Sequence, residues 1–158
     1  MSRTVISTRF HVAVAPEVTF DRLIDVRTGV YSQLIAHSGV EQTPPGPIGP
    51  GTEFHVSRHR RPWMVIRVVE AMRPLRFRTE ATVGSRWPGT ADFNFERTED
   101  GTLVDIESSV GPIRRWWLRP LGSIFVLVTR PWYVRKAREN AVVIARELES
   151  QPNPDHVS

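Results

Sequence analysis

Ile113–Glu149, IRRWWLRPLGSIFVLVTRPWYVRKARENAVVIARELE, decides the fold once it is set against the strands that precede it. The stretch holds the aromatic pairs Trp116-Trp117 and Trp132-Tyr133, the apolar run Leu121–Val128, and eight of the 21 basic residues. From Thr52 to Val110 the chain instead alternates apolar and polar residues, the period of half-buried strands. A long apolar helix that follows an antiparallel sheet must lie across the sheet's concave face, because neither element buries its apolar side alone. Such an arrangement leaves a cavity between the two. The sequence therefore reads as a container, without naming what is contained.

The helix is expected over Pro120–Glu149, with proline at its start and a kink at Pro131, which removes a backbone hydrogen bond. Val134, Ala137, Ala141, Ile144, Ala145 and Leu148 recur at helical spacing. At the other end, Thr4–Val14 alternates Ile6, Thr8, Phe10, Val12 and Val14 against Ser7, Arg9, His11 and Ala13. Ala15-Pro16-Glu17 then marks a helix start, with Val18, Phe20, Leu23, Ile24 and Val26 as its apolar side. Gly29 breaks this helix, and Val30–His37 reads as a second short one. Thr43–Gly51, TPPGPIGPG, is a loop by composition. Strands follow over Thr52–Arg58, Trp63–Ala71, Leu75–Val83, Ala91–Arg97 and Leu103–Val110, the last two joined at an Asp100-Gly101 turn. The fold class expected is α+β: a curved antiparallel sheet wrapped around a long C-terminal helix, with two short helices after the first strand. Residues 1–150 are expected to form one domain and 151–158 a flexible tail.

The order of elements resembles the START-like, birch-allergen-like helix-grip (SRPBCC) superfamily, and more narrowly its polyketide cyclase/dehydrase-like branch. The residues that carry the resemblance are Val12–Val26 (VAVAPEVTFDRLIDV), Gly49-Pro50-Gly51-Thr52, Val68-Val69-Glu70 before Arg73-Pro74-Leu75, and Asp100-Gly101-Thr102. The branch often has an aromatic-rich Tyr-Pro-x-Trp stretch after the first helix. Here Arg27–Ser38 reads RTGVYSQLIAHS and keeps only Tyr31 as an aromatic. The resemblance implies a fold that binds apolar or amphipathic small molecules (lipid, quinone or polyketide-like) between sheet and helix. Some members cyclise or dehydrate polyketide chains, and fold does not choose among these roles.

Composition narrows the chemistry. With no cysteine, a disulfide framework, a thiolate metal site and a cysteine nucleophile are all excluded. Met1–Phe10 lacks the apolar core of a secretory signal, and Pro120–Thr129 is about half the length of a bilayer span. A cytoplasmic, soluble protein is expected. The net charge of +4 is uneven, because residues 113–149 alone carry eight basic and three acidic side chains. Of the basic residues, 20 are arginine, which favours planar, bidentate contacts, although genomic base composition produces the same bias.

His55 and His59 are four residues apart on a strand, so roughly 13 Å separates them and they cannot share an ion; no metal and no cofactor are implied. The Gly46–Gly51 loop is interrupted by Pro47 and Pro50, which offer no N–H to a phosphate. No Gly-x-Ser-x-Gly or His-Glu-x-x-His occurs. Strict alternation from Phe54 and Val56 puts Arg58 inward, where a guanidinium would bind a ligand's carboxylate, enolate or phenolate oxygen. The other reading has Arg58 at the strand end, pointing to water. Phe77, Phe93, Phe95 and Ser108 share the inward face of the strands, and Phe125, Val128 and Trp132 face them from the helix. All of these line the expected cavity. Asp92, Asn94, Glu96, Asp105 and Glu107 alternate outward and are not an acid/base pair. Arg114, Arg115, Trp116 and Trp117 suit transient contact with a membrane surface, the mouth of the cavity, or simple packing of helix on sheet. Basic residues interleaved with an apolar run do not make a nucleic-acid face. An aromatase/cyclase and a membrane-proximal lipid or quinone carrier are the rival functions, and the oligomeric state is left open.

Overall fold

A computed structural model describes residues 4–25, 38–84 and 87–110, together with 142, 143, 145, 146 and 150. One sheet dominates it, with seven antiparallel strands in the order β1-β7-β6-β5-β4-β3-β2. The strands are β1 (Thr4–Val12), β2 (Gly39–Thr43), β3 (Glu53–Arg58), β4 (Arg61–Met72), β5 (Arg76–Val83), β6 (Trp87–Thr98) and β7 (Gly101–Val110), with helix α1 (Pro16–Ile24) between β1 and β2. From β2 to β7 each strand pairs with the next in sequence, and β1 closes onto β7. The expected strands are all present. Gly39–Thr43 is an additional one, too short and too rich in polar residues to show period 2, and it pairs with β3.

Helix α1 starts as its sequence directs. Pro16 occupies the first turn, where its missing N–H costs nothing, and Glu17 places a carboxylate at the positive end of the helix dipole. Thr19, Phe20, Leu23 and Ile24 are buried against the sheet. The Thr19 and Thr102 hydroxyls both donate to the Val14 carbonyl, at 3.2 and 2.6 Å, pinning the turn between β1 and α1 to the start of β7. The second short helix, Val30–His37, lies outside the described residues, as does most of Pro120–Glu149. Val142, Val143, Ala145, Arg146 and Ser150 are α-helical, and Ala145 packs against the core.

The core lies on one face of the sheet. Val12, Phe54, Val56, Ile66, Val68, Phe77, Phe93 and Val104 are sealed within it. Burying each of these side chains contributes about 1.5–3 kcal/mol. The opposite face is charged and cross-linked. Arg9 reaches Asp105 at 2.6 Å, Arg67 pairs with Glu53, and Arg76 bridges Asp92 and Glu70. Such exposed pairs add little stability individually. They show which face meets water, and the outward placement of Asp92 and Asp105 agrees with the alternation.

Two bulges interrupt the ladders, one between Val56 and Ser57 and one between Val68 and Glu70. Both extra residues, Trp63 and Val69, belong to β4, and each shifts the alternation of that strand by one. The second makes Val69 the odd residue, 40% exposed, and lets both Val68 and Ala71 face inward.

Candidate functional site

The register places the inward side chains in rows that run across the strands. Nearest α1 are Phe10, Val104 and Phe95; next come Thr8, Ile106, Phe93 and Phe77; then Ile6, Ser108, Ala91, Thr79 and Val68; then Gly89, Ala81, Ile66 and Phe54. Burial changes along the strands. At the α1 end Phe20 meets Phe77 and Phe95 edge-on, with ring centroids 6.2 and 5.2 Å apart, and Phe93 joins Phe77 at 5.8 Å. These four rings are almost wholly buried. Edge-to-face rings at this spacing gain about 0.5–1.5 kcal/mol per pair beyond area burial. The aromatic end is thus sealed by α1.

Away from α1 the same face opens over β1, β7, β6 and β5, whereas Phe54, Ile66 and Val68 on β3 and β4 stay sealed. Ile6, Thr8, Ile106, Ser108, Ala91, Gly89, Ala81 and Val83 all keep partial exposure although they point inward. They form one contiguous patch over β1, β7, β6 and β5. Four strands span about 14 Å at the usual inter-strand spacing. Small side chains (Ser108, Ala91, Ala81) and Gly89 make the floor, so the space above it is not filled from below.

Of the residues the sequence assigned to the cavity, Phe77, Phe93 and Phe95 come together in the sealed aromatic cluster, whereas Ser108 lies in the open patch. Phe125, Val128 and Trp132 fall outside the described residues, and so do Arg114, Arg115, Trp116 and Trp117. Of the two readings of Arg58, its position agrees with the strand-end one, since it is the last residue of β3. It is exposed on the β3–β4 hairpin, and its guanidinium carbon sits 5.9 Å from the Trp63 ring centroid. His59 and Arg60, both at positive φ, turn the chain straight into β4; the extra residue of the nearby bulge is Trp63 on β4, so the alternation of β3 itself is unbroken. His55 is engaged on the charged face, 3.3 Å from Glu53.

Sequence reasoning missed Phe20 as the plug of the aromatic end and Thr8 as a member of the open patch. The alternation of β1 carried the signal for Thr8, since it shares a face with Ile6 and Phe10. For Phe20 there was no comparable signal, because its partners are more than fifty residues away.

Two exposed ion pairs flank α1. Arg73 donates two bonds to Asp21, both 2.8 Å, and Arg97 donates to both oxygens of Glu17 at 2.7 and 3.0 Å. The Glu17 carboxyl is held below its ordinary range by its own backbone N–H at the helix start and then by Arg97. On the outer face Arg67, assisted by His55, does the same to Glu53. A separate open groove of about 310 Å³ lies beyond Arg97, lined by residues 13–15 and 97–101. Among the described residues no helix is long and apolar enough to cross a membrane, and no cluster of three His, Asp or Glu side chains is arranged to hold a metal.

The chain matches no protein-family model and no curated protein sequence. Solved structures do match it over nearly its whole length. The birch-allergen-like Ara h 8.0201 aligns with a TM-score of 0.62 at 13% identity, over 95% of this chain and 100% of that one. The polyketide cyclase-like protein Cgl2372 from Corynebacterium glutamicum aligns at 0.58 and 18% identity, over 99% and 98%. The di-domain ARO/CYC protein StfQ of the steffimycin biosynthetic pathway aligns at 0.63 and 13% identity, over 93% of this chain and 50% of that one. At these identities the likeness is one of fold. The chain shares the fold of these birch-allergen-like and polyketide cyclase-like structures.

Proposed function

We propose that this protein binds an apolar or aromatic small molecule of the lipid, quinone or polyketide-like kind, held between the concave face of the sheet and the C-terminal helix. The domain of this reading is residues 1–150, with 151–158 as a tail. The observation that supports it is the burial gradient on one continuous face. Val104, Phe93, Phe77 and Thr79 are sealed, yet Ile106, Ala91, Ala81 and Ser108 on the same strands stay partly exposed. Inward apolar positions that keep exposure beside sealed neighbours border open space, and an apolar space of this kind favours an apolar occupant.

An aromatase/cyclase would use the same space to shape a reactive chain and stabilise enolate charge. Among the described residues the open patch carries two hydroxyls and no titratable side chain. That favours holding a ligand over moving its protons. The aromatic walls Phe77, Phe93 and Phe95 belong to the frame of the site on this reading, and Arg58 has no part in it.

The test is native mass spectrometry of the purified protein followed by organic extraction, together with titration of the delipidated protein against a series of naphthalene-sized fluorescent probes. A co-purified apolar mass, or saturable binding of one probe per chain that Ala91→Phe abolishes, supports the reading. Absence of any co-purified molecule together with absence of saturable binding overturns it.

A further inference from the structure

We propose that Thr8 and Ser108 form a polar rail along one side of the open patch, selecting neutral apolar ligands that carry a ketone, quinone, phenol or alcohol oxygen and disfavouring carboxylates. The inference rests on the binding reading above and deepens it by naming the chemistry of the ligand. Ile6 pairs with Ser108 and Thr8 with Ile106, so Thr8 and Ser108 are diagonal neighbours on the same face of the β1–β7 ladder. Diagonal neighbours stand about 7–8 Å apart. Two hydroxyls at that spacing reach two oxygens on one edge of a ring system, or one oxygen directly and another through a water.

What sets this pair apart is the state of the other inward hydroxyls. Those of Thr19 and Thr102 are spent on the Val14 carbonyl, and Thr79, fully buried, is also engaged. On the outer face Ser7 is bonded to Asp105 and Thr90 to Ser109. The hydroxyls of Thr8 and Ser108, both partly exposed on the inward face, have no hydrogen-bond partner among the described residues. A hydroxyl is one donor and two acceptors, and one left without a partner when apolar contents cover it costs free energy. A ligand oxygen placed there removes that cost, whereas a hydrocarbon edge incurs it. A carboxylate gains the same hydrogen bonds but must shed its water with no cation among the patch residues Ile6, Thr8, Ala81, Val83, Gly89, Ala91, Ile106 and Ser108 to receive it.

The experiment titrates the full-length, delipidated protein at pH 7 with three naphthalenes of matched size: 2-acetylnaphthalene, 2-ethylnaphthalene and 2-naphthoate. The ketone should bind roughly tenfold more tightly than the hydrocarbon, and the carboxylate more weakly than the ketone. The double variant Thr8→Val/Ser108→Ala should lose roughly tenfold for the ketone and bind the hydrocarbon at least as tightly as the wild type does. Should the double variant fail to fold, the single variants carry the test, each with roughly a threefold loss. Equal ketone affinity in wild type and variant, or a preference for naphthoate, overturns the polar rail while leaving the container reading intact. If none of the three binds the wild type, both the rail and the container reading fall.

Discussion

Gly101 is the position where a single added carbon should do most damage. It opens β7 at φ 156°, and a Cβ built there would lie 2.1 Å from the Val12 carbonyl oxygen and 2.9 Å from the Ala13 Cα. Both neighbours are backbone, so no side chain can swing aside. To restore an ordinary contact of 3.4 Å, Val12 and the β6–β7 turn must separate by about 1.3 Å. Val12 is fully buried and paired with Thr102, whose hydroxyl anchors the Val14 carbonyl below α1. The displacement therefore reaches β1, β7 and the seat of α1 together. Gly101→Ala should cost about 3 kcal/mol or more. For a domain of this size that lowers the thermal midpoint by about 6–12 °C. Gly46→Ala is the control: Gly46 also has positive φ, at 125°, but nothing lies within 4 Å of its added Cβ, so only backbone strain of about 1–2 kcal/mol applies. Thermal and guanidinium unfolding followed by circular dichroism would compare the two. If Gly101→Ala loses no more stability than Gly46→Ala, the close approach of β1 to the β6–β7 turn is wrong.

Other perturbations separate frame from site. Phe20→Ala should cost about 3–5 kcal/mol, because Phe20 is 2% exposed and wedged against Phe77 and Phe95; a loss under 1 kcal/mol in chemical unfolding would contradict the sealed aromatic end. Ala91→Phe fills the floor of the patch and should abolish probe binding with less than about 1.5 kcal/mol change in stability; unchanged affinity would place the ligand elsewhere. Arg58→Ala should leave ligand affinity unchanged, and a severalfold loss by fluorescence titration would return Arg58 to the pocket. Acidification should lower the thermal midpoint. Glu17 and Glu53 have depressed folded-state pKa values, so their contribution is complete above the ordinary carboxylate range near about 4.3 and lost as pH falls through the folded values. Glu53→Gln should flatten that part of the pH–midpoint curve, and an unchanged slope would show that Glu53 does not contribute to it.

The sequence by itself determined what local physics writes. Alternation in Thr4–Val14, Leu75–Val83 and Ala91–Arg97 specified strands and their inward faces, because successive side chains leave a strand on opposite sides. Pro16 with Glu17 specified a helix start, and Asp100-Gly101 a hairpin, because these residues satisfy or permit backbone geometries that few others do. The outward charges of Asp92 and Asp105 followed from the same period. Tertiary structure alone decided what depends on distant partners. The turn at His59-Arg60 ends β3 at Arg58 and leaves that side chain exposed beside Trp63. Gly39–Thr43 became a strand only by borrowing hydrogen bonds from β3. The division of one apolar face into a sealed aromatic end and an open patch required Phe20 to arrive from α1 onto Phe77 and Phe95. Periodicity reports the face on which a side chain stands. Whether that side chain is covered depends on what the rest of the chain packs over it, and that is set by contacts far apart in sequence.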